Sequence, residues 1–207
     1  MINGFIVTGT DTGIGKTIAS AMLTLALDGI YWKPVQSGSD GETDTKIVKR
    51  LTGLPDDRFL PEAYVFSQAL SPHRAAELDG IAITPPSFIL PPPRHAGGNQ
   101  KCGGRNLVVE GAGGLLVPFT REILMIDLFK QWNLPVILCA RTALGTINHT
   151  LLSVEALKTR GMTLHGILFI GDDNKDNIRS IGDFCGAKIV GRMPIMEKIN
   201  QKMLQQT

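Results

Sequence analysis

From its amino end the chain alternates short apolar runs with segments of helical periodicity. Phe5 to Gly9 (FIVTG) is an apolar run closed by glycine, and KTIASAMLTLAL, from Lys16, is apolar on nearly every side until Asp28-Gly29 stops it. That order predicts a buried strand, a loop and a buried helix. Further apolar runs follow at IYWKPV (30–35), NLVVEG (106–111), PVILCA (135–140), HGILFIG (165–171) and AKIVG (187–191). Before HGILFIG, the segment INHTLLSVEALKTR sets Ile147, Leu151 and Val154 on one helical face. Strands apolar throughout and separated by helices predict an α/β fold, a doubly wound, mostly parallel sheet with helices on both faces. One segment breaks the rhythm: five prolines and four glycines stand between Pro85 and Gly104. They are too many to sustain a helix, so residues 85–105 are expected to form a mobile surface loop. No internal repeat is present, and the 207 residues are expected to make one domain.

Composition narrows the function more than the fold. With 43% apolar residues, 19% charged residues and a formal net charge of +2, the chain has no field strong enough to argue for nucleic acid, and small-molecule chemistry is the default. Cys102, Cys139 and Cys185 are odd in number and contain no CxxC pair, which fits reduced thiols and not a disulfide or zinc framework. Cys139, inside PVILCA, reads as core. No basic leader or membrane-length apolar window is seen, so a cytoplasmic protein with no membrane partner is expected.

The first loop, GTDTGIGKT (Gly9 to Thr17), is the strongest chemical signal. In the common phosphate-loop pattern GxxxxGK[ST] the first glycine would fall at position 10, which is Thr here, and the glycine stands one place earlier. The half that carries the chemistry survives. Gly13 and Gly15 let backbone N–H groups turn inward, Lys16 can reach the β- and γ-phosphates, and Thr17 can offer a hydroxyl to Mg2+. The bland alternative is a tight turn that happens to hold a lysine; a strand before and a helix after favour the cradle. Such a site needs carboxylates for its metal. Glu110 ends LVVE just before GAGG, at the strand end where open α/β sheets place ligands, or else is a solvated strand-end acid. Asp44, at the start of a helical stretch in DGETDTKIV, reads equally as N-cap and as metal ligand. Lys33, a cation inside YWKPV, is expected to emerge at the same edge as Lys16, its alternative being to snorkel from an edge strand.

With GTDTGIGKT, YWKPVQSGS, LSPHRAAE, VVEGAGGLLVP and LGTINHTLL in this order over nearly the whole length, the chain resembles the dethiobiotin synthetases, a family of P-loop NTPase type. GTDTxxGKT is that family's form of the loop, which accounts for the displaced glycine. The resemblance implies a homodimer with active sites at the subunit interface, and ligation of CO2 or bicarbonate to 7,8-diaminononanoate with ATP and Mg2+. One amine would capture CO2 as a carbamate, the carbamate oxygen would attack the γ-phosphorus, and the second amine would close the ring with release of phosphate. On this resemblance Lys33 and Lys16 are the catalytic cations, and Thr17, Asp44 and Glu110 hold Mg2+. Gly13, Ile14, Gly15, Lys16, Thr17, Ile18, Asp44, Glu110, Gly111, Ala112, Gly113, Gly171, Asp172 and Pro194 bind the nucleotide. Thr12, Ser37, Gly113, Leu144, Gly145 and Asn148 meet the diamine, the last three at a helix start suited to its carboxylate. The protein need supply no nucleophile, because the substrate brings both amines.

Two departures from the family pattern stand out. Family members often carry Asn-Asp after the strand read here as HGILFI, the Asn reading the adenine edge; this chain has Gly171-Asp172, so looser nucleotide choice is expected. The Pro- and Gly-rich segment replaces an expected helix. Among competing readings, a partitioning or regulatory ATPase would carry an extra early lysine, as in KGGxGKT, which GTDTGIGKT lacks. An amidotransferase-type ligase needs an ammonia-producing domain, for which 207 residues leave no room. A plain nucleotide-binding module stays open on sequence.

Overall fold

A computed structural model describes residues 3–86, 106–196 and 199–205. Most of the segment expected to be a mobile loop, 87–105, lies outside the described residues, and 81–86 carry no regular structure. Along the chain come β1 (Gly4–Gly9), α1 (Lys16–Ala26), β2 (Ile30–Trp32), β3 (Val35–Ser37), α2 (Asp44–Thr52), β4 (Phe59–Leu60), β5 (Tyr64–Phe66) and α3 (Pro72–Asp79). Then follow β6 (Leu107–Gly114), α4 (Met125–Trp132), β7 (Val136–Arg141), α5 (Thr146–Thr159), β8 (Leu164–Ile170), α6 (Lys175–Cys185), β9 (Ile189–Met193) and α7 (Gln201–Gln205).

Seven strands form one sheet in the order β4-β2-β6-β1-β7-β8-β9, every pairing parallel. Successive side chains alternate between its faces. Ile6, Leu107, Val109, Val136 and Leu138 enter one hydrophobic layer with α4, α5 and α6, while Val7, Val108 and Cys139 enter the other with α1, α2 and α7. Burial on both faces is why these strands read as continuous apolar runs, and each fully buried large side chain contributes roughly 1.5–3 kcal/mol.

The sequence reading of IYWKPV as one strand is corrected. Pro34 has no N–H to give to the ladder, so β2 stops at Trp32 and the chain resumes as β3 in a separate two-stranded sheet with β5. Pro34 still contributes its carbonyl, which accepts from the N–H groups of Ala63 and Tyr64 at 2.9 and 3.1 Å. β4 and β5, of two and three residues, were too short to register as apolar runs. No helix among the described residues is long and apolar enough to cross a membrane.

Candidate functional site

Because the strands run parallel, their carboxyl ends share one edge, and β1, β2 and β6 bring the glycine-rich loop, Lys33 and Glu110 to it. Gly15 ends the loop with φ 96°, a left-handed conformation that glycine adopts without Cβ strain, and stands as N-cap of α1. The first N–H groups of the helix are thereby left for an anion. Ile14 and Ile18 turn their side chains into the hydrophobic layer beneath, so only their backbones face a phosphate.

Lys16 is 6% exposed, and its Nζ donates to the Asp11 carbonyl at 2.7 Å. Burial lowers its pKa below the ordinary 10.5, and the nearby Lys33 ammonium lowers it further. A phosphate beside it favours the charged form, so the bound pKa lies above the free one and binding takes up a proton between the two. As pH rises toward 10.5, calorimetric heats of ATP binding should therefore differ between buffers of unequal ionisation enthalpy. Lys16→Met should abolish the difference, and equal heats for the unaltered chain would contradict this account.

Next to Lys16 four elements converge. Thr17 Oγ1 lies 2.9 Å from Asp44 Oδ1 and 3.0 Å from Glu110 Oε1. Lys33 Nζ lies 2.7 Å from Asp44 Oδ2 and 3.0 Å from Glu110 Oε1, and donates to the Gly111 carbonyl at 3.1 Å. The Tyr31 hydroxyl donates to Glu110 Oε2 at 2.9 Å. Register explains the meeting. Tyr31 pairs with Val108 and Glu110 with Val7, so Tyr31, Glu110 and, one step beyond the strand, Lys33 fall on the face that α1 and α2 cover. Those two helices carry Thr17 and Asp44.

The cluster is sheltered, with Lys33 3% and Glu110 1% exposed, so Lys33 does not snorkel and Glu110 is not a solvated strand-end acid. Burial pulls the Lys33 pKa down, but Glu110 and Asp44 outweigh it and hold the ammonium above its ordinary value. Burial pushes the Asp44 carboxyl up, but Lys33 outweighs that and holds it below its ordinary value. Burial, with the Glu110 charge, pushes the Tyr31 phenol well above its ordinary range, so it remains a donor. The N-cap reading of Asp44 is also corrected. Thr43 is the cap of α2, accepting from Lys46 N–H, while Asp44 N–H goes to Gln36 Oε1 at 3.1 Å and its carboxylate faces the cluster.

One threonine hydroxyl has a single proton and cannot satisfy two carboxylates at once. Hard oxygens from Thr17, Asp44 and Glu110 gathered at one point are a donor set that suits Mg2+, which takes few protein oxygens and keeps several waters. The residues present fit that ion.

A cleft of about 570 Å3 opens beside the cluster. Of the residues anticipated from sequence, it brings together Thr12, Gly13, Lys16, Thr17, Lys33, Ser37, Asp44, Glu110, Ala112 and Gly113. Ser37 Oγ is buried and has no hydrogen-bond partner among the described residues. Sequence reasoning missed Tyr31, Gln36, residues 69–72 and Val117, most of which line the cleft directly. The signal for residues 70–72 was at hand, since they open the LSPHRAAE motif and Pro72 begins α3. Tyr31 had none, because its partner is 79 residues away.

The other anticipated residues lie outside this cleft. Gly171 N–H donates to the Met193 carbonyl at 3.0 Å, which sets Asp172 and Pro194 at adjoining strand ends, and a Cβ on Gly15 would stand 3.1 Å from Ile170. This corner therefore borders the far side of the loop. Gly171 has φ 136°, and any side chain there would collide with Thr142 Oγ1. Asn174 and Asn177 each donate from Nδ2 to the Thr142 carbonyl at 3.3 Å. At the start of α5, Leu144, Gly145 and Asn148 are exposed, while Arg141 just before them donates to the Thr12 carbonyl at 2.9 Å.

Comparison with known proteins identifies relatives over nearly the whole chain. A family profile described as an AAA domain matches residues 3–203. An ATP-dependent dethiobiotin synthetase BioD of Nitrobacter hamburgensis is 52% identical over 206 residues, spanning 100% of this chain and 92% of its own length. Proteins of the same name from Rhodopseudomonas palustris strain BisB5 and from Agrobacterium fabrum are 52% and 50% identical, covering 99% and 98% of this chain and 92% and 91% of theirs. Among solved structures, a ParA family ATPase from Chlorobium tepidum superposes with a TM-score of 0.54 at 15% identity, over 100% of this chain and 90% of its own, a likeness of fold.

Proposed function

The chain belongs to the dethiobiotin synthetase family, and from that premise we propose how its cleft carries out the reaction. The protein is an ATP-dependent ligase that forms dethiobiotin in biotin biosynthesis. Its substrates beside ATP are 7,8-diaminononanoate and CO2 drawn from bicarbonate. The observation that carries the reading is the meeting of Thr17, Lys33, Asp44 and Glu110 at 2.7–3.0 Å beside the glycine-rich loop.

Residues 13–18 cradle the phosphates with backbone N–H groups, and Lys16 exchanges the Asp11 carbonyl for the γ-phosphoryl group. Thr17, Asp44 and Glu110 would hold Mg2+, which supplies positive charge against the phosphate oxygens when bound. The three ammonium protons of Lys33 are engaged by Asp44, Glu110 and Gly111. To meet the carbamate, Lys33 must release one of them, and its charge then steadies the anion that attacks phosphorus. The Ser37 hydroxyl, buried and without a partner among the described residues, and the backbone at Thr12 and Gly113 receive the diamine. Its two amines do the bond making, so the protein contributes position and charge.

Leu144, Gly145 and Asn148 are exposed and do not line their own cleft, which supports their serving the substrate carboxylate in a second copy of the chain. The functional unit on this reading is a cytoplasmic homodimer of single-domain subunits. The test of function is a coupled assay in which phosphate release requires both bicarbonate and the diamine. Release indifferent to both would point to a nucleotide switch.

Nucleotide choice is expected to be loose. Thr142 leaves no space for a base-reading side chain at Gly171, and the amides of Asn174 and Asn177 are directed to the Thr142 carbonyl. A site relying on backbone and packing discriminates weakly. At least one of GTP and CTP should support turnover within roughly tenfold of ATP, about 1.4 kcal/mol. Strict dependence on ATP in parallel assays would refute this.

A further inference from the structure

We infer that Tyr31 is a positioning residue that fixes which oxygen of Glu110 is presented to a dication, and so sets a preference for Mg2+ over larger ions. The inference rests on the reading of Glu110 as a metal ligand. A carboxylate has two oxygens, and their surroundings here differ. Oε1 faces Thr17 and Lys33, each at 3.0 Å, whereas Oε2 accepts from the Tyr31 hydroxyl at 2.9 Å.

Tyr31 has little freedom to let go. It is 0% exposed, sits in β2 between β4 and β6, and meets Phe59 edge-on with ring centroids 6.2 Å apart. Rotating Glu110 to offer both oxygens would leave a phenol hydroxyl unsatisfied in a dry site, which is costly. Glu110 therefore offers one oxygen. That suits Mg2+, which demands near-octahedral geometry with single oxygens, better than Ca2+, which readily takes a carboxylate through both.

The test uses the full chain with saturating ADP, titrating Mg2+ or Ca2+ against bound Mn2+, with the free Mn2+ paramagnetic resonance signal as readout. Tyr31→Phe should lower Mg2+ affinity about 10–100-fold, the usual range for loss of a group that orients a ligand, and lower Ca2+ affinity less. The preference for Mg2+ then narrows. A merely structural tyrosine would weaken both ions alike, and an unchanged ratio overturns the proposal.

Glu110→Gln tells the ligand role of Glu110 apart from the positioning role of Tyr31. If it leaves metal affinity untouched, both the ligand reading and this inference fall. If it weakens metal binding while Tyr31→Phe leaves the ratio unchanged, this inference alone falls. Should Tyr31→Phe not fold, infrared carboxylate bands of the unaltered chain with Ca2+ decide the matter. A single-oxygen pattern for the band lost in Glu110→Gln supports the role of Tyr31, and a two-oxygen pattern overturns it.

Discussion

Lys33→Met should lose about 10²–10³-fold in turnover and, with metal chelated, roughly 3–5 kcal/mol of stability. The stability loss follows from what remains. Glu110, 1% exposed, and Asp44 would face each other across Thr17 with no cation between them. Removing one partner of a buried pair leaves an uncompensated charge, which is why the effect exceeds that of a surface ion pair. For a chain of this size the melting temperature should drop by about 6–20 °C. Mg2+ with ADP should restore much of it, since a cation again sits by the carboxylates, while turnover stays low.

The pH sense of this pairing is fixed by its shifts. Asp44 is held below 3.8, so its contribution is present above that value and is lost as pH falls through the depressed pKa. Lys33 is held above 10.5, so its contribution is complete below that value and is lost as pH rises through the raised pKa. Lys33→Met should therefore be destabilised across the whole window between. An unchanged melting temperature in chelator would mean that Lys33 does not neutralise the pair.

Glu110→Gln should lower turnover by a similar factor, about 10²–10³-fold, and raise the Mg2+ concentration needed for half-maximal rate, because a charge meeting the metal is gone. Its stability should change little. The amide oxygen replaces only one of the two acceptors that Tyr31 and Lys33 use, but Lys33 keeps Asp44 at 2.7 Å, so no buried charge is left alone. Melting in chelator should stay within about 1 kcal/mol of the unaltered chain or rise. Full activity at low Mg2+ would remove Glu110 from the site.

The parts of this site that could be read in the sequence are those whose chemistry is local. Gly13, Gly15, Lys16 and Thr17 form one turn, and the residue types at that spacing determine what it can hold. Glu110 was reachable because it ends an apolar run before glycines, a position that topology makes functional. Asp44 stayed ambiguous between cap and ligand because helix starts use the same residue type for both; only Thr43 beside it, which takes the cap, decides it. Lys33 shows a further limit. Its inward placement follows from alternation along β2, and its meeting with Glu110, 77 residues away, from the β2–β6 register, which no local pattern displays. Tyr31 is the same case. As for the two short strands β4 and β5, runs of two and three residues carry no periodicity to detect.

If this cleft transfers the γ-phosphoryl group of ATP to an oxygen that arrived as CO2, with Lys33 and Lys16 holding the two reacting anions, that oxygen can be followed into the product phosphate. The chain, the diamine and ATP are mixed with CO2 carrying 18O at both oxygens, in ordinary water, and quenched before the label exchanges with solvent. Attack by a carbamate oxygen, followed by ring closure by the second amine, leaves that oxygen on the departing phosphate, so each turnover should release phosphate carrying one labelled atom. Unlabelled phosphate formed in step with dethiobiotin would contradict the account, because the oxygen attacking phosphorus would then have come from water.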